Sequence, residues 1–132
     1  MPGLGDYPAS AVRRAEDFAR ARKFYVEILG LKETPVTGPT SQSMFTAGDG
    51  TMVLVYEQPG MPAPANTTLG FRVPDDKLSE VMADLRSRSV VFEEYDIPEI
   101  GLKTVNGVAE VAGSKAAWFK DTEGNIINLV VM

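Results

Sequence analysis

The chain has 132 residues, 44% of them apolar, and a formal charge of −5. That is enough for one compact domain with its own core. With 13 basic against 18 acidic side chains, it is a poor match for a nucleic-acid backbone. Cysteine and histidine are both absent, which excludes disulfides, thiolate chemistry, His-based triads and Cys/His zinc sites. No stretch is long and apolar enough to span a membrane, and "MPGLGDYPAS" lacks the pattern of a secretory signal. The expectation is a cytoplasmic protein that binds neither nucleic acid nor membrane.

The first segment, "YPASAVRRA", reads as a weak strand. "EDFARARKFYVEILGL" follows, with Phe18, Ala21, Phe24, Tyr25, Ile28 and Leu29 forming one apolar stripe at helical spacing. Asp17 is placed to cap this helix and Gly30 to end it. Three strands come next, "LKETPV", "SQSMFTA" and "TMVLVYE", the last two joined by the hairpin signal "GDG". The proline-bearing Gln58–Asn66 reads as a linker.

Beyond it the order repeats. "TTLGFRV" reads as a strand, and "PDDKLSEVMADLRSRS" as a helix with Leu78, Val81, Met82 and Leu85 on one face. "VVFEEYDI" reads as a strand, "PEIGLKTVNG" as a loop, and "VAEVAG" as either a short strand or irregular chain. "KAAWFKD" and "NIINLVV" close as a hairpin. Each half thus reads strand–helix–strand–strand–strand, one domain made of module one (about 7–57), the linker 58–66 and module two (about 67–132). Neither half has core enough to stand alone.

Several of these stretches resemble one family. Asp17, Arg20, Phe24-Tyr25 and Leu29-Gly30-Leu31 resemble the opening helix of the vicinal oxygen chelate superfamily, the glyoxalase/bleomycin resistance protein/dioxygenase family. "LGFRVPDDKLSEVMADLRSRSVVFEE" and "AAWFKDTEGNIINLV" resemble its second module and closing hairpin. Relatives commonly have Gly before Val where the second helix ends, so the resemblance implies that Ser89 takes a left-handed conformation or that the helix ends differently. The resemblance implies an α+β fold of two βαβββ modules whose curved mixed sheets enclose a shared cleft. It also implies a homodimer, with modules paired within a chain or swapped.

Metal-dependent members hold a divalent ion with four side chains. Matching motif by motif places these positions near Ser10 and at Glu57, Thr68 and Asn128. Only Glu57 keeps a family ligand type. One carboxylate, one amide and two hydroxyls suit neither Zn²⁺, Ni²⁺ nor Fe²⁺, and Mg²⁺ wants more carboxylates. No metal and no cofactor is therefore expected.

The resemblance makes Val55, Glu57, Thr68, Arg72, Trp118 and Asn128 the candidate ligand-binding residues, with Ile100 and Leu102 as a rim. Alternation groups Ile126, Asn128 and Val130 on one face and Ile127, Leu129 and Val131 on the other. It also splits Trp118 from Phe119, without saying which of the two meets a ligand. Arg13-Arg14 reads either as a solvated pair or as an anion site.

The leading expectation is metal-independent binding of a small apolar or aromatic molecule, as in antibiotic or metabolite sequestration. The alternatives are a metal-independent isomerase or lyase with Glu57 as catalytic base, and a non-catalytic structural or regulatory subunit.

Overall fold

The computed structural model describes residues 3–131, without the side chain of Val111. The chain forms two compact units, one ending at Met61 and the other starting at Pro62. Among the described residues no helix is long and apolar enough to cross a membrane.

In the first unit, strand β1 (Ala11–Ala15) leads to helix α1 (Phe18–Lys23), then β2 (Lys32–Pro35), β3 (Gln42–Thr46) and β4 (Met52–Glu57). The sheet order is β1-β4-β3-β2, with β1 parallel to β4 and the other pairs antiparallel. The Asp17 side chain accepts the Arg20 N–H at 3.2 Å, as a helix cap should. The sequence pattern continues as helix to Leu29, but the geometry changes at Phe24. Residues Phe24–Ile28 form a π-helical turn, in which the Leu29 N–H reaches the Phe24 carbonyl five residues back. Gly30 then takes φ 74°, the left-handed ending expected of it.

This helical segment packs on the sheet through Tyr25, which is fully buried with its ring 5.4 Å from Phe45. Burying each of these two rings stabilises the unit by roughly 1.5–3 kcal/mol. Register pairs Phe45 with Val53 and Ser43 with Val55, so all four share the helix-covered face. The "GDG" hairpin forms, with Asp49 and Gly50 both at positive φ.

The second unit runs β5 (Thr67–Arg72), helix α2 (Leu78–Ser87), β6 (Asp96–Ile97), β7 (Leu102–Val105), β8 (Val108–Val111), β9 (Ser114–Lys120) and β10 (Ile126–Val131). The sheet order is β5-β10-β9-β8-β7-β6, parallel only between β5 and β10. Leu78, Met82 and Leu85 form the buried stripe of α2. The Arg86 guanidinium lies over the Phe92 ring, Met82 reaches the same corner beside Gly107, and the Phe92 ring meets Phe119 edge-on at 5.6 Å. The face bearing Phe119, Ile127 and Leu129 is therefore the one α2 covers.

Ser89 adopts φ 73°. The Val90 N–H returns to the Leu85 carbonyl and the Ser89 N–H to the Arg86 carbonyl, which is a Schellman ending built without glycine.

Two expectations fail here. "VVFEEYDI" is not a full strand. It keeps one bridge, Phe92 to Phe119, and two strand residues, Asp96 and Ile97. Its Phe92–Tyr95 stretch instead bonds to both neighbours, with Glu93 N–H to the Trp118 carbonyl and Thr104 N–H to the Tyr95 carbonyl. The segment "PEIGLKTVNG" is not a plain loop either, because it contains β7. Asn106 and Gly107 take φ 52° and 82° and form a two-residue turn into β8. Glu94 fixes this corner by accepting the Thr104 hydroxyl at 2.6 Å and the Gly107 N–H at 3.1 Å. "VAEVAG" resolves to a strand, and Ala112-Gly113 form a second two-residue turn.

Candidate functional site

The β9–β10 hairpin decides which aromatic ring faces where. Its turn is held by Asp121, whose Oδ1 accepts the N–H groups of Glu123 and Asn125 and whose Oδ2 accepts the Asn125 amide, each at 2.8 Å. This fixes the register at Asn128 opposite Trp118 and Ile127 opposite Phe119. Phe119 is 0% exposed and belongs to the core. Trp118 is half-buried and lies with Asn128 on the face turned away from α2.

Several groups assemble around Trp118. Its Nε1–H donates to the Thr67 hydroxyl at 3.2 Å, and the Tyr95 ring meets it edge-on at 5.4 Å. Burial, and secondarily the nearby Glu93 carboxylate, raise the Tyr95 phenol above its ordinary value of 10.0. Tyr95 therefore remains a hydrogen-bond donor at neutral pH. Asn128 lies over Gly70 in β5, where a Cβ would stand 2.5 Å from Asn128 Oδ1. The glycine leaves the space that the amide occupies, a close-approach role for glycine within a strand.

The other expected site residues are spread more widely. Arg72 pairs with Val130 and shares the Trp118 face. A register shift between Ile126 and Ile127 leaves Thr68 without a ladder partner, so it is the bulge residue rather than a regular neighbour of Gly70. Ile100 is 69% exposed in a 3₁₀ turn, and Leu102 is half-buried at the start of β7.

In the first unit, Val55 is 1% exposed on the helix-covered face, and Glu57 follows it on that face. Glu57 Oε2 accepts the Phe18 N–H at 3.0 Å, so the carboxylate sits at the start of α1 and satisfies one of its unpaired donors. Ser10 is exposed just before β1.

The four family metal positions do not fit a transition-metal ion. Glu57 is bonded to a helix N–H, and Thr68 and Asn128 bring only a hydroxyl and an amide. Among the described residues no three His, Cys, Asp or Glu side chains cluster as an ion would require.

A family model for the glyoxalase/bleomycin resistance protein/dioxygenase superfamily matches residues 8–129. The chain belongs to this superfamily. Solved structures agree at the level of fold. A glyoxalase family protein from Enterococcus faecalis is 19% identical with a TM-score of 0.70, over 97% of this chain and 99% of its own. The fosfomycin resistance protein FosX from Listeria monocytogenes is 13% identical with a TM-score of 0.69, over 100% and 94%. An integron cassette protein from the mobile metagenome of the Halifax Harbour sewage outfall is 16% identical with a TM-score of 0.69, over 93% and 96%. No curated protein matches the chain. The fold is thus that of the superfamily, α+β with two mixed sheets and few helices.

Sequence reasoning left two features of the site unassigned. Thr67 holds the Trp118 indole, and Gly70 makes room for Asn128. A glycine inside the strand "TTLGFRV" was the one readable signal for close approach.

Proposed function

We propose that this superfamily member binds a small apolar or aromatic molecule without a metal, on the Trp118 face of the second sheet. The observation that carries this reading is the placement of Trp118. It is half-buried on the side away from α2, next to Asn128 and Tyr95, while Phe119 alone serves the core. A flat apolar surface edged by an amide and a phenol is the ordinary make-up of a small-molecule site. Sequestration of an antibiotic or metabolite is the role that suits it, and the FosX likeness makes fosfomycin one compound to include among the probes. The same reading has the protein as a cytoplasmic homodimer, which light scattering checks. Glu57 as a catalytic base is not favoured, since its carboxylate already holds the first N–H of α1.

Trp118 is the sole tryptophan, so its fluorescence reports on one place. Titration with a panel of small aromatic compounds is expected to quench or shift that emission. Trp118→Phe should weaken binding measured by calorimetry. Silence from the whole panel would sink the reading, and so would purified protein carrying near-stoichiometric Zn, Ni, Fe or Mn.

A further inference from the structure

Strand β1 carries two adjacent arginines, and alternation sends them to opposite faces of the first sheet. Arg14 pairs with Tyr56, and Arg13 pairs with Val55 on the helix-covered face. Arg13 is only 4% exposed. Its Nε, Nη1 and Nη2 are all buried, and none finds a hydrogen-bond partner among the described residues. A solvated arginine pair does not describe this position.

A guanidinium does not escape burial by losing its proton. Left unpaired in the interior, it costs several kcal/mol. Four carboxylates of the same unit are engaged elsewhere. Glu33 accepts from Arg22 at 2.7 Å and from the Ser43 hydroxyl at 2.7 Å. Glu16 accepts the Gly60 N–H at 2.6 Å, and Asp17 caps α1. Glu57, one step along the same face beside Ala15, accepts the Phe18 N–H. Each of these acids has a partner that is not Arg13.

We propose that Arg13 is the binding residue of an oxyanion site in the first unit, which takes a carboxylate or a phosphoryl group. The planar fork of a guanidinium matches two oxygens of such a group at once. Buried surroundings strengthen that contact, because little water competes for the donors. The inference rests on the first unit alone and does not depend on the Trp118 reading.

The test is calorimetric titration of the folded protein with inorganic phosphate and, separately, with acetate, at ionic strength held constant with chloride. Saturable binding of one of them is expected, and which one binds separates a phosphoryl from a carboxylate ligand. Arg13→Met keeps the apolar stem and removes the fork, and should abolish that binding. Should the Met variant not fold, Arg13→Lys keeps the charge without the planar fork and should bind roughly tenfold more weakly. No binding of either anion to the natural protein overturns the proposal, and so does equal binding by a folded Arg13 variant.

Discussion

In the second unit the Asp121 carboxylate is buried among three donors, two backbone N–H groups and the Asn125 amide. In the first unit the Arg13 guanidinium is buried with no acceptor that the described residues supply. The first is a local solution. A turn folds its own backbone around a charge, and the donors come from residues within four positions. The second leaves a charge that local structure does not answer. The contrast separates a buried ion that builds its fold from one that is available to something else.

Mutation should expose this difference in size and in sign. The largest effect is expected at the turn. Asp121→Ala leaves two buried N–H groups and an amide without their acceptor, which should cost about 3–4 kcal/mol in denaturant melts. Arg13→Met should go the other way when no anion is present, neutral or stabilising by up to about 4 kcal/mol. If both variants lost equal stability, the comparison would break, and Arg13 would have to be a structural ion like Asp121.

Smaller effects sharpen it. The first helix ends on Gly30 and the second on Ser89, both left-handed. Ser89→Gly should therefore stabilise the protein by roughly 1 kcal/mol, read as a rise in melting temperature. Gly70→Ala pushes its new methyl against the end of a flexible amide rather than against backbone. Its cost should stay below about 1 kcal/mol, while Asn128 is displaced and the Trp118 emission shifts. Adding Asn128→Ala should recover the lost stability.

The smallest effect concerns pH. The phenol of Tyr95 titrates higher in the folded protein than its ordinary 10.0, chiefly through burial. Its contribution is thus full below the unfolded value and is lost as pH rises through the folded one. Stability should fall above about pH 10, and Tyr95→Phe should flatten part of that fall without altering the neutral-pH melt.

Much of the fold was legible because local signals and burial agreed. The stripe through Tyr25, the Asp17 cap, the "GDG" turn and the alternation of Ile127 and Leu129 against Asn128 each needed only neighbouring residues. The left-handed ending at Ser89 was one of two endings that the family's usual Gly-before-Val left open, and the structure takes it. The failures came where pairing partners lay far along the chain. "VVFEEYDI" has strand composition, yet its bonds are divided between β9 and β7. The strand Leu102–Val105 hid inside a stretch read for its glycines and proline, although Asn106-Gly107 was a turn signal of the strongest kind.

The candidate site was legible in part. Asn128 could be placed on a face, but the side taken by Trp118 depended on register. Glu57 was identified by family position alone, and its bond to the Phe18 N–H belongs to the packing of α1 against β4. Arg13 was the least readable of all. Two arginines in a five-residue strand look like solvent-facing residues until the burial of each is known.

The π-helical turn at Phe24–Ile28 has a consequence for how the chain tolerates length changes. Its hydrogen bonds span five residues where an α-turn spans four, so the segment holds one residue more than a regular helix of the same hydrogen-bond count. That surplus is a natural place for a single-residue deletion. Removing Glu27, which is exposed, would let the segment close as ordinary α-helix while Phe24 and Tyr25 keep their seats on the sheet. A deletion inside the regular α2 would instead rotate every later buried residue off its face. Insertion and deletion scanning should therefore find the end of the first helix permissive and the middle of the second one intolerant.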